Sequence, residues 1–360
     1  MTEPVYIIAE AGVNHNGNRD MAFQLVDAAV KAQVDAIKFQ TFKAKNLVTR
    51  SAEKAEYQRQ TTSSEESQFE MLKQLELPHE WHKELSEYCK ESGIDFLSTA
   101  FDNYSLDFLV NEMGLKTLKL PSGEITNGPF LLAHAQTCCD LIISTGISTM
   151  AEVRDALSVV AYGLLNPKSN VKPSAEEFEN AFNSNEGQRL LMKKVTLLHC
   201  TTQYPTPFKD INLNAMVSMR KHFGIPVGYS DHSEGIIVPI AAASLGATLI
   251  EKHFTLDKSL PGPDHKASLE PSELTDMVQA IRSVEDIMGD GVKAPKSSEL
   301  RNRDIVRKSL VAARSLHEGE TFTADMLAIK RPGNGISPMK YWDMLGQQVT
   351  QDIAADEVIK

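Results

Sequence analysis

The sequence predicts an α/β fold, a closed parallel (β/α)8 TIM barrel followed by a small β-rich domain, on three observations. Short apolar runs alternate with amphipathic stretches eight times within residues 1–288. Nearly every run ends in polar or charged residues, for which an open doubly wound sheet, the competing arrangement, gives no reason. After Met288 the pattern changes to short alternating runs separated by glycine turns.

In chain order, the strand runs are 5–10, 35–40, 95–99, 117–120, 141–145, 195–200, 225–229 and 248–253. Helical periodicity marks 20–32, 78–92, 104–113, 150–163, 213–223, 234–245 and 271–288. The stretch 44–75 leaves the carboxyl end of the second strand and is expected to fold over the site as a lid. Residues 166–189, rich in Asn, Ser and Glu, precede the sixth strand and are expected to form a solvated excursion on the opposite face. The segment 289–304, GDGVKAPKSSELRNRD, reads as a polar linker. The domain that follows, 305–360, is too small to be very stable unless it docks on something.

A net charge of −11 with no basic block excludes a nucleic-acid footprint, so an anionic substrate needs locally placed lysines and backbone amides. The start MTEPVYIIAEAG carries no secretory pattern, and no run approaches the roughly 18 apolar residues of a membrane span. Cys89, Cys138, Cys139 and Cys200 lack CxxC spacing and read as reduced structural thiols of a cytoplasmic protein.

The strand ends carry the chemistry. Strand one ends in Glu10; strand two in Lys38 and Gln40, which share a face; strand four in Lys119, then Pro121-Ser122-Gly123-Glu124. Strand five ends in Ser144-Thr-Gly146 before a helix, and strand six leads into Tyr204. Strands seven and eight end in Ser230-Asp231-His232 and Glu251-Lys252-His253, with Asp264 on the loop beyond. Two histidines side by side at a sheet's carboxyl edge, amid Asp231, Glu251 and Asp264, suit a metal better than either would alone. Two inward lysines beside Ser122, Ser144 and Ser230 make a bed for a phosphate and a carboxylate.

The motifs AEAGVNHNG, IKFQTFKA, LKLPSGE, ISTG, LHCTTQYPTPF, GYSDHS, IEKHFTLD, PGPDHKASLEP and KRPGNGISPM resemble the sialic acid synthases, with their legionaminate and pseudaminate relatives. The resemblance spans nearly the whole chain, including an antifreeze-like (SAF) domain at the C-terminus. It implies condensation of phosphoenolpyruvate with an N-acetylated hexosamine, in a domain-swapped homodimer, on Mn²⁺ or Mg²⁺ held by His232 and His253. By the same matching, Lys38, Lys119, Ser122, Ser144 and Ser230 hold phosphoenolpyruvate. Gln40, Glu124, Tyr204 and Asp264 line the sugar pocket, which the partner subunit's Arg331 closes. Glu10 and Asp264 are both candidates for stabilising the cation formed at carbon 2 or for activating water, and the sequence does not separate them.

N-acetylneuraminate from N-acetylmannosamine is the product expected first. N,N'-diacetyllegionaminate or pseudaminate, from a 2,4-diacetamido-6-deoxyhexose, is the alternative. Two other classes are kept: a Schiff-base aldolase working through Lys38 or Lys119, and a sugar-binding protein without catalysis. One departure from the family pattern is visible, since Thr201 and Thr202 stand where some members carry an asparagine near phosphoenolpyruvate.

Overall fold

The computed structural model describes residues 3–360 except 63–65 and the side chains at 57, 60 and 61. The lid stretch is therefore described apart from those positions. The chain divides into two compact units, Met1–Gly289 and Asp290–Lys360.

In the first unit, eight parallel strands close in sequence order: β1 (Tyr6–Gly12), β2 (Ala36–Thr41), β3 (Asp95–Ala100), β4 (Thr117–Leu120), β5 (Asp140–Ser144), β6 (Val195–His199), β7 (Val227–Asp231) and β8 (Leu249–His253). Side chains alternate across each strand, so one residue set fills the lumen and the other meets the helices. Ile8, Ala36, Leu97, Ile142, Leu198 and Leu249 form an apolar plug inside the barrel. Two residues further along the same faces stand Glu10, Lys38, Thr99, Ser144 and Glu251, a polar layer resting on that plug. Register aligns the layer: Glu10 lies opposite Lys38 and His253, Thr99 opposite Lys119, and Ser230 opposite Glu251. The outward set, including Ile7, Ile37, Phe39 and Tyr229, packs under the helices in the main core.

Helices follow the expected order, with local differences. The stretch read as 104–113 is a short helix, Asn103–Asp107, continuing into a π-helical turn at Phe108–Glu112. A helix the periodicity reading did not include, Gly128–Gln136, follows β4 with Asn127 as its cap and proline in its first turn.

The excursion at 166–189 needs correction. It holds the helix Ala175–Asn183 and most of a second, Asn185–Lys194. Ser174 Oγ accepts from Glu177 N–H at 3.2 Å while Glu177 Oε2 accepts from Ser174 N–H at 2.7 Å, a reciprocal cap that starts a helix despite the polar composition. Phe178 meets Tyr162 with ring centroids 5.3 Å apart, and Ala181 and Leu191 are buried.

The second unit pairs β9 (Ser309–Ala312) with β10 (Leu327–Lys330), antiparallel, around Leu310, Leu316, Phe322, Val349 and Ile353. The linker reading of 289–304 is also corrected, since the helix Ser297–Val306 covers its end. None of that helix's residues is buried, which is why its composition looks like a linker's.

Candidate active site

A cavity of about 320 Å³ opens at the carboxyl end of the barrel, a size suited to small metabolites. Its wall includes Glu10, Lys38, Gln40, Lys119, Ser122, Ser144, Tyr204, Ser230, His232, His253 and Asp264, which the sequence had singled out. The lid contributes Leu47, Val48, Gln58, Gln68, Met71 and Leu72. Of the predicted residues, Glu124 stands off the wall. It follows Pro121 in a 3-10 turn where strand alternation has ended, and its carboxylate accepts from Asn127 Nδ2 at 2.6 Å. Arg331 belongs to the second unit, where it is exposed and its Nε donates to Val306 O at 3.0 Å.

Glu251 is the hub that the sequence reading left without a role. Its carboxylate accepts from Lys119 Nζ at 3.0 Å and Ser230 Oγ at 2.9 Å, with Lys38 Nζ at 3.6 Å. Lys38 also pairs with Glu10 and donates to Thr99 Oγ1 at 3.0 Å. Burial alone would raise the Glu251 carboxyl, but Lys119 and Lys38 overcome that and hold it well below the carboxylate range. Burial would likewise lower the Lys38 ammonium, yet Glu10 and Glu251 outweigh it and raise its pKa. Lys38 is therefore a committed cation. An anion entering here shares donors already aimed by Glu251 and meets little reorganisation.

The second anion contact lies opposite. Gly146 N–H donates to Ser122 Oγ at 3.0 Å, and Ser122 Oγ lies 3.2 Å from Cys200 Sγ. A Cβ at position 146 would collide with Thr202 Oγ1 and Ser122 Oγ, so only glycine fits. Thr202, at the departure from the family pattern, thus lies on the cavity wall against this turn. The Ser144 hydroxyl is buried with no hydrogen-bond partner among the described residues. A buried hydroxyl left this way is costly, and an anion oxygen would satisfy it. The Cys200 thiol is pushed up by burial and stays neutral, so a cysteine nucleophile has no basis here.

The histidine ring centroids lie 5.5 Å apart with the rings tilted at 52°, and Tyr204 lies 4.1 Å from His232, tilted at 35°. His232 Nδ1 lies 2.7 Å from Thr201 O; a carbonyl only accepts, so Nδ1 carries the hydrogen and Nε2 keeps its lone pair. His253 Nδ1 is buried without a partner among the described residues. Burial lowers His232 to about 4, and burial together with His232 lowers His253 well below the usual range. Two neutral imidazoles with lone pairs to offer suit a divalent cation. No cluster of three or more His, Cys, Asp or Glu ligands occurs among the described residues, so a cation held by this pair would complete its shell with water or substrate.

Asp264 is placed by a tie between the loops after β1 and β8. Asn14 Nδ2 donates to Phe254 O at 2.8 Å and Ser268 Oγ at 3.0 Å, and His265 lies between Thr255 Oγ1 (2.7 Å) and Asn16 Oδ1 (3.1 Å). At the end of β1, Gly12 takes φ +54° at a register shift, a conformation that favours glycine, and a side chain there would crowd Glu10 Oε1 and Gln40 Nε2.

Burial and then Glu10 push Asp264 up to about 7, and burial also raises Glu10. Asp264 thus holds a proton close to neutral pH, as a general acid requires, while Glu10 is ion-paired with Lys38. The folded pKa of Asp264 lies above its ordinary 3.8, so this group costs nothing below that value and destabilises increasingly as pH rises through about 7. Metal-free protein is expected to lose up to about 4 kcal/mol from this group between pH 4 and pH 8. Asp264→Asn should flatten that part of the profile in chemical denaturation; an unchanged slope would mean the carboxyl titrates normally.

Residues 25–293 match the NeuB family and 307–360 match the SAF domain. An N,N'-diacetyllegionaminic acid synthase of Campylobacter jejuni subsp. jejuni serotype O:2 is 47% identical over 354 residues, covering 98% of each chain. One of Legionella pneumophila is 45% identical over 350 residues, covering 97% of this chain and 92% of the relative. The crystal structure of N-acetylneuraminic acid (sialic acid) synthetase from Leptospira borgpetersenii in complex with citrate superposes with TM-score 0.66 at 31% identity, covering 83% of this chain and 90% of that one. A closed barrel with lysines, serines and paired histidines at one mouth, and matches of this extent, lead to one conclusion: the chain belongs to the NeuB family and carries a C-terminal SAF domain.

Proposed function

We propose that this enzyme is an N,N'-diacetyllegionaminate synthase, which joins phosphoenolpyruvate to 2,4-diacetamido-2,4,6-trideoxymannose and releases phosphate. The observation that carries the sugar assignment is the high identity, over nearly the full length of both chains, to two legionaminic acid synthases. The neuraminate reading gives way to its alternative, because the sialic acid synthetase matches less closely.

The geometry supports the chemistry. Lys38, Lys119, Ser122, Ser144 and Ser230 would hold phosphoenolpyruvate over the apolar plug, which excludes water from below. A divalent cation, Mn²⁺ or Mg²⁺, held by His232 and His253 would supply Lewis acidity at the sugar's aldehyde oxygen. Carbon 3 of phosphoenolpyruvate attacks the aldehyde carbon, and Lys38 and Lys119, both paired with Glu251, hold the enol phosphate in line. Glu10, opposite His253 in register, lies where negative charge would stabilise the cation developing at carbon 2. Water adds there as Asp264 or Glu10 takes one of its protons, the alkoxide left from the aldehyde is protonated in turn, and the remaining hydroxyl proton at carbon 2 goes to the departing phosphate as the carbon–oxygen bond breaks and the ketone forms. The proposal includes a homodimer in which the partner subunit's Arg331 reaches the sugar.

A Schiff-base aldolase needs a neutral amine, and Lys38, paired with Glu10 and Glu251, is held protonated. Inorganic phosphate should appear only with both substrates and a divalent cation present. Release from phosphoenolpyruvate alone, or borohydride trapping of pyruvate on a lysine, would remove this assignment.

A further inference from the structure

The two sides of the cavity differ in chemistry. The barrel side is mostly charged and hydrogen-bonding, with Glu10, Lys38, Lys119, Ser144, Ser230 and Glu251 on it. The lid side carries Leu47, Val48 and Leu72, with Phe101 from beyond β3, all only half-buried on the wall. Apolar side chains left half-covered inside a polar cavity gain if a ligand of matching character covers them.

Two amides stand among them, Gln58 and Gln68. Gln58 Oε1 accepts from Ala55 N–H at 3.0 Å and from Gln68 Nε2 at 3.5 Å. That leaves the Gln58 amino group and the Gln68 carbonyl without partners among the described residues. A donor and an acceptor thus sit on one apolar wall, the pattern that an amide with attached methyl groups would satisfy.

The direction of the sugar follows from its chemistry. Its aldehyde carbon must reach phosphoenolpyruvate on the barrel floor, so carbons 4 to 6 extend away from the floor, toward the lid. The geometry points to a lid subsite that selects the sugar by this distal half. Gln58 and Gln68 pair with the 4-acetamido group, while Leu47, Val48, Leu72 and Phe101 cover its methyl and the 6-methyl. This rests on the legionaminate reading above. N-acetylmannosamine would instead place bare hydroxyls at carbons 4 and 6 against leucine and valine, and would leave the glutamines unpaired. An apolar wall rejects an added hydroxyl by roughly a hundredfold at most, whereas unpaired polar groups on the protein add further discrimination.

The test is the ratio of kcat/KM for the diacetamido sugar to kcat/KM for N-acetylmannosamine, in the wild-type enzyme and in Gln58→Glu, Leu72→Gln and Val48→Thr. A ratio is independent of the fraction of protein that folds. Gln58→Glu keeps an oxygen for Ala55 N–H and loses the amide donor; Val48→Thr keeps the shape and adds a hydroxyl. The ratio should fall about tenfold or more in Gln58→Glu and Leu72→Gln, and by a smaller factor in Val48→Thr, with KM for phosphoenolpyruvate unchanged. A wild-type enzyme that prefers the diacetamido sugar, with the same ratio in all three variants, overturns the lid subsite and leaves the legionaminate reading standing. A wild-type preference for N-acetylmannosamine overturns both.

Discussion

His232→Ala and His253→Ala are each expected to lower kcat roughly a thousandfold or more while changing phosphoenolpyruvate affinity by only about threefold. The split follows from the placement of the rings. They stand just past β7 and at the end of β8, beside Tyr204, whereas the anion donors gather around Glu251 and Ser122. A group that acts on the developing charge of the aldehyde oxygen appears in kcat; one that holds the anion appears in KM. Chelation should reproduce the loss in the wild-type enzyme, and Mn²⁺ or Mg²⁺ should reverse it there but not in the double variant. Because both imidazoles are held neutral, this dependence should persist to about pH 5. Full turnover by the double alanine variant under chelator would show that the histidines only pack the barrel mouth.

Lys38→Met and Lys119→Met should raise KM for phosphoenolpyruvate by roughly 10- to 100-fold each, the worth of a desolvated charge-assisted contact, with little change for the sugar. A stability cost accompanies this loss. Lys38 is buried between Glu10 and Glu251, and its removal leaves Glu10 without its cation and Glu251 with Lys119 alone, a defect of about 3–5 kcal/mol. Thermal melts with and without phosphoenolpyruvate separate the two effects. The variants should melt lower and lose the ligand's stabilisation; a lower melt with ligand stabilisation intact would make these lysines structural.

The barrel was legible because its strands are apolar runs buried on both faces and its helices repeat at 3.6 residues. Strand alternation also placed Glu10, Lys38 and Ser144 two residues beyond a plug residue, with Lys119 in register with Ile142, Ser230 with Glu251 and His253 with Glu10. Where alternation stops, legibility stops. Glu124 lies one turn past β4 and faces Asn127 instead of the cavity. Glu251 looked like one of several crowded acids because its partners, Lys119 and Lys38, lie far away in sequence and only barrel closure brings them to it. Gln58 and Gln68 gave no signal, since a lid residue acquires meaning from the wall it completes. The helices Ala175–Asn183 and Asn185–Lys194 were signalled locally, by serine three residues before Glu177 and Gly187, but their polar composition masked the caps.

The most direct measurement is a competition. Equimolar N-acetylmannosamine and 2,4-diacetamido-2,4,6-trideoxymannose are offered with limiting phosphoenolpyruvate carrying ¹⁸O at the bridging oxygen, and the products are weighed by mass spectrometry. N,N'-diacetyllegionaminate should dominate, free of label, with the ¹⁸O in phosphate because water adds at carbon 2 and the carbon–oxygen bond breaks. Neuraminate as the main product, or label retained in the sugar acid, would contradict the account.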